Sequence, residues 1–145
     1  MSERSPLNAH PIAGLLYRYA ACISAGDKQG IVALYTDDAT AEIPVGGPLH
    51  RGIDAIRAFY FGNELAERVE ITGAVCIAGN EAAAPMRALI ERDDGLIEID
   101  VIDVVEVDPA TNRFKKLRAF FDLSGARPVF SGSARRRLAA RDLRR

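Results

Sequence analysis

The sequence predicts an α+β fold: three N-terminal helices packed on one face of a curved, mainly antiparallel sheet. Apolar residues recur at helical spacing through the first sixty or so positions, whereas from Arg68 onward they alternate with polar ones. Clusters of Gly, Asn and Asp separate the alternating segments at hairpin spacing. Helices followed by consecutive strands define the class.

The elements follow in order. His10 to Ala25 reads as an amphipathic helix, with Ile12, Leu15, Leu16, Tyr19 and Ile23 on its inner stripe and Gly26 as its stop. Asp27 suits the N-cap of a second, short helix carrying Ile31, Val32, Leu34 and Tyr35. Asp37-Asp38 is expected to turn the chain into a short strand, Thr40 to Pro44, with a loop at Gly46, Gly47 and Pro48. A third helix is expected from Ile53 to about Glu64, with Ile56, Phe59 and Tyr60 inward. Four long strands complete the chain: Arg68 to Ala78, Glu81 to Arg92, Leu96 to Val107 and Arg113 to Leu123.

Composition narrows the function classes. At 145 residues, 48% hydrophobic and 27% charged, the chain has the size and make-up of one globular domain, with no repeat and no linker. No apolar run is long enough to cross a bilayer, and Met1 to His10 does not read as a signal peptide. A cytoplasmic location is the expectation. Cys22, Cys76, His10 and His50 are isolated, so no metal site and no cofactor are expected. The net charge of −1 conceals an uneven distribution. Residues 131–145 hold six arginines against one aspartate, a net +5 that leaves −6 on the rest. The expected division is therefore a domain over 1–130 and a basic tail over 131–145. No aromatic residue is interleaved with those arginines, so nucleic acid is not the expected partner.

One strand carries the chemistry. Alternation sets Ile99, Val101, Asp103, Val105 and Val107 on one face, and Glu98, Asp100, Glu106 and Asp108 on the other with Ile102 and Val104 between them. A carboxyl group among four β-branched residues on an interior face should take up a proton and become a donor, unless an arginine such as Arg87 or Arg118 pairs with it. Met86, Ala88 and Ile90 share a face on the preceding strand. Leu117, Ala119, Phe121 and Leu123 do so on the following one. Together these make an apolar floor suited to a small hydrophobic ligand.

The stretch from Gly14 to Tyr60, with "YTDDATAEIPVGG" and a downstream G-x-x-A-I-x-x-F-Y, resembles ketosteroid isomerases and SnoaL-like polyketide cyclases of the NTF2-like superfamily. So does "IDVIDVVEVDPATNRFKKLRAFF" near the other end; the likeness runs from about Gly14 to Leu123. It implies a cone-shaped barrel around an apolar cavity, and a homodimer, for which the face carrying Ile102 and Val104 offers apolar area. It implies that Tyr19 and Asp103 donate to a substrate oxygen, and that Tyr35 and Tyr60 support Tyr19 through hydrogen bonds. The neutral acid in ketosteroid isomerase is a known worked case of this logic.

The departure is at Glu42-Ile43-Pro44-Val45-Gly46, where Ile43 stands in place of the family's proton-shuttling aspartate. Glu42 should face away from the pocket, although a bulge could turn it inward; Glu64 is a second candidate base. The resemblance with this substitution implies a polyketide-type cyclase that folds a hydrophobic substrate and polarises a carbonyl or ether oxygen, for instance in a cycloaddition. The alternatives are an isomerase or dehydratase with another base, and a non-catalytic binding protein.

Overall fold

The computed structural model of the protein describes residues 10–93 and 95–129. The basic segment 131–145 lies outside the described residues.

Helix α1 (Pro11–Ala25) starts where His10 Nδ1 accepts from the Ile12 N–H, with Pro11 at the first helical position. It ends at Gly26, whose φ of 71° is a left-handed cap. Its expected inner stripe is buried. Helix α2 (Lys28–Val32) is capped by Asp27, which accepts from the Gly30 N–H at 2.8 Å. This helix is shorter than expected: Tyr35 opens strand β1 (Tyr35–Glu42).

Asp37-Asp38 therefore lies within a strand and makes no turn. Between the pairs Tyr35↔Phe114 and Thr40↔Lys116 the register slips, and the two exposed aspartates occupy that irregular stretch. A short strand β2 (Leu49–Arg51), too brief to show alternation, pairs with β1. Helix α3 (Ile53–Phe61) stops three residues before Glu64. The Gly62 N–H bonds Ala58 O, and the Asn63 side-chain amide turns back to Phe59 O at 2.7 Å.

The expected strand Arg68 to Ala78 is two strands, β3 (Arg68–Ile71) and β4 (Cys76–Ala78), both on the same edge of β5 (Glu81–Arg92). The break has a cause in Pro85. Its carbonyl accepts from Thr72 on this edge, so its missing N–H faces the same way and the ladder lapses there. Strands β6 (Gly95–Asp108) and β7 (Arg113–Phe120) follow; β7 ends before Phe121, not at Leu123. A 3₁₀ turn (Leu123–Gly125) then leads into β8 (Arg127–Pro128), which rejoins β6.

The sheet runs β2-β1-β7-β6-β5-β3, with β4 on β5 and β8 on β6. The β1–β7 pair is parallel, so the sheet is mixed. Its inner face meets the helices across a core built on Leu15, Leu16, Ile31, Ile56, Phe114 and Leu117.

Phe114 is fully buried, edge-on to Tyr19 at 5.6 Å and tilted against Tyr35 at 5.4 Å. Phe114→Ala should therefore cost about 3–5 kcal/mol, the range for large-to-small core changes. Urea unfolding should show a lower midpoint at unchanged slope, and a midpoint equal to the parent's would contradict this packing.

Candidate active site

Three tyrosines from three elements converge at the inner end of a cavity. Tyr19 comes from α1, Tyr35 from the start of β1 and Tyr60 from α3. Tyr35 thus arrives from a strand, where a helix was expected. Tyr60 is the middle of a chain: its hydroxyl lies 2.7 Å from that of Tyr35 and 2.9 Å from that of Tyr19.

The direction of this chain follows from counting protons. Each phenol has one to donate. Tyr35 is fully buried and its short side-chain hydrogen bond is the one to Tyr60, with Tyr19 a weaker second partner, so its proton goes to Tyr60. Tyr60 then donates to Tyr19, leaving the Tyr19 proton for the cavity. The reverse order would leave the Tyr35 proton only its weaker contact with Tyr19. Burial first, then the neighbouring phenols and Asp103, hold all three hydroxyls well above an ordinary phenol's pKa.

Asp103 is the one buried charged residue among those described, 3% exposed. Burial alone pushes its carboxyl from 3.8 up to about 7. Neither arginine considered as its partner reaches it. Arg87 lies against Glu98 and Asp100, and Arg118 Nε bonds Glu42 at 2.9 Å, all on the outer face of the sheet. Among the described residues Tyr19 and Asp103 are not hydrogen-bonded to each other. Both groups instead face the cavity, close enough for the carboxylate charge to raise the Tyr19 pKa.

The cavity holds about 600 Å³. Ile43, Met86, Ala88, Ile90, Ile99, Val101, Ala119 and Phe121 line it, and Met86 with Val101 and Ala88 with Ile99 are cross-strand neighbours on one face of the sheet. Tyr35 and Leu117 do not reach it. Tyr35 acts through Tyr60, and Leu117 is fully buried in the core beneath the floor. Ile43 stands at the wall and follows the outward-facing Glu42, which Arg118 holds on the far side; no bulge turns Glu42 inward. Glu64 is exposed at the mouth, beside Asn63. Among the described residues no group of three or more His, Cys, Asp or Glu is arranged to hold a metal ion.

Sequence reasoning missed Asn63, Leu65, Ala66 and Glu67 as lining residues, because the segment between α3 and β3 has no periodicity to read. It also missed Arg92, although strand alternation after Met86, Ala88 and Ile90 points to it.

A mixed sheet wrapped by helices around a cavity, with a buried carboxyl group and a tyrosine chain at one end, defines a class of small α+β cavity proteins. Residues 16–113 match the SnoaL-like domain, and the chain belongs to that family. It is 35% identical over 105 residues to the steroid Delta-isomerase of Nocardioides simplex, covering 72% of this chain and 84% of that protein. In fold it matches a solved structure from work on the epoxide hydrolase/cyclase-like enzyme SalBIII in pyran ring formation in polyether salinomycin. There the TM-score is 0.73 at 23% identity, over 81% of this chain and 95% of the other. These relatives are enzymes.

Asp103 ties pH to stability. Between pH about 4 and about 7 it is protonated when folded and ionised when unfolded, so its contribution is complete at the acid end and lost as pH rises through 7. At most about 4 kcal/mol is involved. Asp103→Asn should be more stable than the parent at pH 8, with the gap closing towards pH 4. Urea unfolding across that range tests this, and a constant gap would contradict it.

Proposed function

We propose that this protein is a cofactor-independent cyclase that closes a ring in a polyketide-type natural product, as in antibiotic biosynthesis. The observation that carries the reading is Ile43 at the cavity wall while Tyr19 and Asp103 keep their protons. The site can stabilise charge growing on a carbonyl or ether oxygen, yet among the described residues no fully buried carboxylate or histidine besides Asp103 lines it to take a proton from carbon. A cycloaddition meets that description. Two π bonds become two σ bonds within one substrate, and no atom is gained or lost. Hydrogen bonds to the carbonyl polarise the conjugated system, and the walls hold the chain folded. Proximity of this kind can supply several kcal/mol, towards an upper range of about 7–11 kcal/mol. Acid-assisted opening of an epoxide by an internal hydroxyl would use the same donors.

Isomerisation is the second reading, favoured by the likeness to a steroid Delta-isomerase, and it would require Glu64 to reach in from the mouth. A non-catalytic hydrophobic-ligand carrier is the third. We place the protein in the cytoplasm as a homodimer; among the described residues no helix is long and apolar enough to cross a membrane. Ile102 and Phe120, neighbours in register on the outer face, are 49% and 41% exposed and would form the dimer contact. Ile102→Glu should then yield monomers by light scattering, and a dimer unaffected by it would exclude this face.

The parent should turn over a 5-ene-3-ketosteroid negligibly, and Ile43→Asp should raise that rate by about 10²- to 10⁴-fold, the usual value of a general base. Tyr19→Phe and Asp103→Asn should each lower ring closure by about 10- to 1000-fold. Ala88→Trp or Ala119→Trp, which fill the cavity, should abolish binding and conversion. Product formed in deuterium oxide should carry no deuterium on carbon. Label next to a carbonyl would overturn the cyclase reading and direct attention to Glu64.

A further inference from the structure

The cavity's lining runs along most of one antiparallel ladder. Asp103 faces Ala84, and at the other end Gly95 faces Arg92, eight residues further along each strand. At roughly 3.3 Å per residue the two levels are up to about 26 Å apart. Between them Met86, Ala88 and Ile90 line the cavity on the same strand face that ends in Arg92. About 600 Å³ drawn out over such a length is a slot, and a compact ligand docked at Asp103 would leave its outer half unfilled.

The outer end has its own chemistry. Arg92 makes no ion pair or hydrogen bond among the described residues, whereas Arg87, Arg118 and Arg127 are each paired with carboxylates on the outer face. Its cross-strand neighbour is Gly95, which has no side chain to offer. Glu64, from the segment between α3 and β3, also lines the cavity and has no such partner among the described residues. Glu67 and Glu91 share the rim but are each already engaged.

We infer that the occupant is a long flexible chain with two polar ends, a carbonyl-type oxygen at Tyr19 and Asp103 and a hydroxyl-bearing end between Glu64 and Arg92. A hydroxyl serves both rim charges, because its O–H donates to the Glu64 carboxylate and its oxygen accepts from the Arg92 guanidinium. A carboxylate end would meet Glu64 as a like charge, and an amine end would meet Arg92. The inference deepens the proposed function and rests on it for the reacting end; the outer end stands on the register and the rim.

The test is equilibrium binding of straight-chain 2,4-dienones of graded length, ending in hydroxyl, methyl or carboxylate. The tyrosine fluorescence of this tryptophan-free chain is the signal. Affinity should rise roughly two- to fourfold per added methylene until the chain reaches the mouth. There the hydroxyl terminus should bind about tenfold tighter than methyl, with carboxylate no better than methyl. Glu64→Gln and Arg92→Gln, both at exposed positions, should each erase the hydroxyl preference and keep the length dependence, with unfolding midpoints unchanged. A plateau at short chains, or indifference to the terminus in the parent, would overturn the inference. Binding is read without turnover, so length and hydroxyl dependence in a protein that closes no ring would sink the cyclase reading alone. Turnover without that dependence would do the opposite.

Discussion

A carboxyl group held out of water without a counter-charge is the constraint on which the rest of this site depends. The face of β6 offers Asp103 only β-branched neighbours, and the Coulomb partners that would ionise it lie on the other side of the sheet. Alternation enforces that separation. Arg87 occupies an odd position on β5, opposite in face to Met86, Ala88 and Ile90, and Arg118 faces Val104 across the ladder, not Asp103. The acid therefore keeps its proton into the neutral range, and a carboxylate becomes a donor.

The tyrosine chain depends on the same dryness. In water three phenols would have no reason to order their protons. Here the short bond open to Tyr35 is the one to Tyr60, and that preference orients Tyr60 and then Tyr19. Phe114 packs on both ends of the chain, so the hydrogen-bond order rests on core packing contributed by β7. Two donors thus reach the inner end of the cavity by separate routes, one positioned by burial and the other by a relay.

In the proposed function, a single side chain sets the reaction class against this shared apparatus. The scaffold, the donors and the apolar walls agree with a family that includes isomerases, while Ile43 supplies only surface to the cavity. On that reading, what survives is polarisation and confinement. Chemistry that needs only those two is intramolecular bond formation, in which the substrate brings every reacting atom itself.

Periodicity alone located much of this. The inner stripe of α1, both ends of β5 and the isolation of Asp103 among apolar neighbours are local patterns, and side-chain alternation is a local property of the backbone. The likeness to a family added the tyrosine chain and the substitution at Ile43. Tertiary structure decided what no local pattern contains. Pro85 split the expected edge strand because its missing N–H happened to face that edge, and the slipped register against β7 absorbed Asp37-Asp38 into β1. The mouth was decided in the same way. Residues 62–67 have no period, and only packing between α3 and β3 brings Glu64 to the same opening as Arg92. Sequence by itself determined which groups are buried, since that follows from spacing. The fold determined which groups meet, since that depends on where distant strands and helices are brought together.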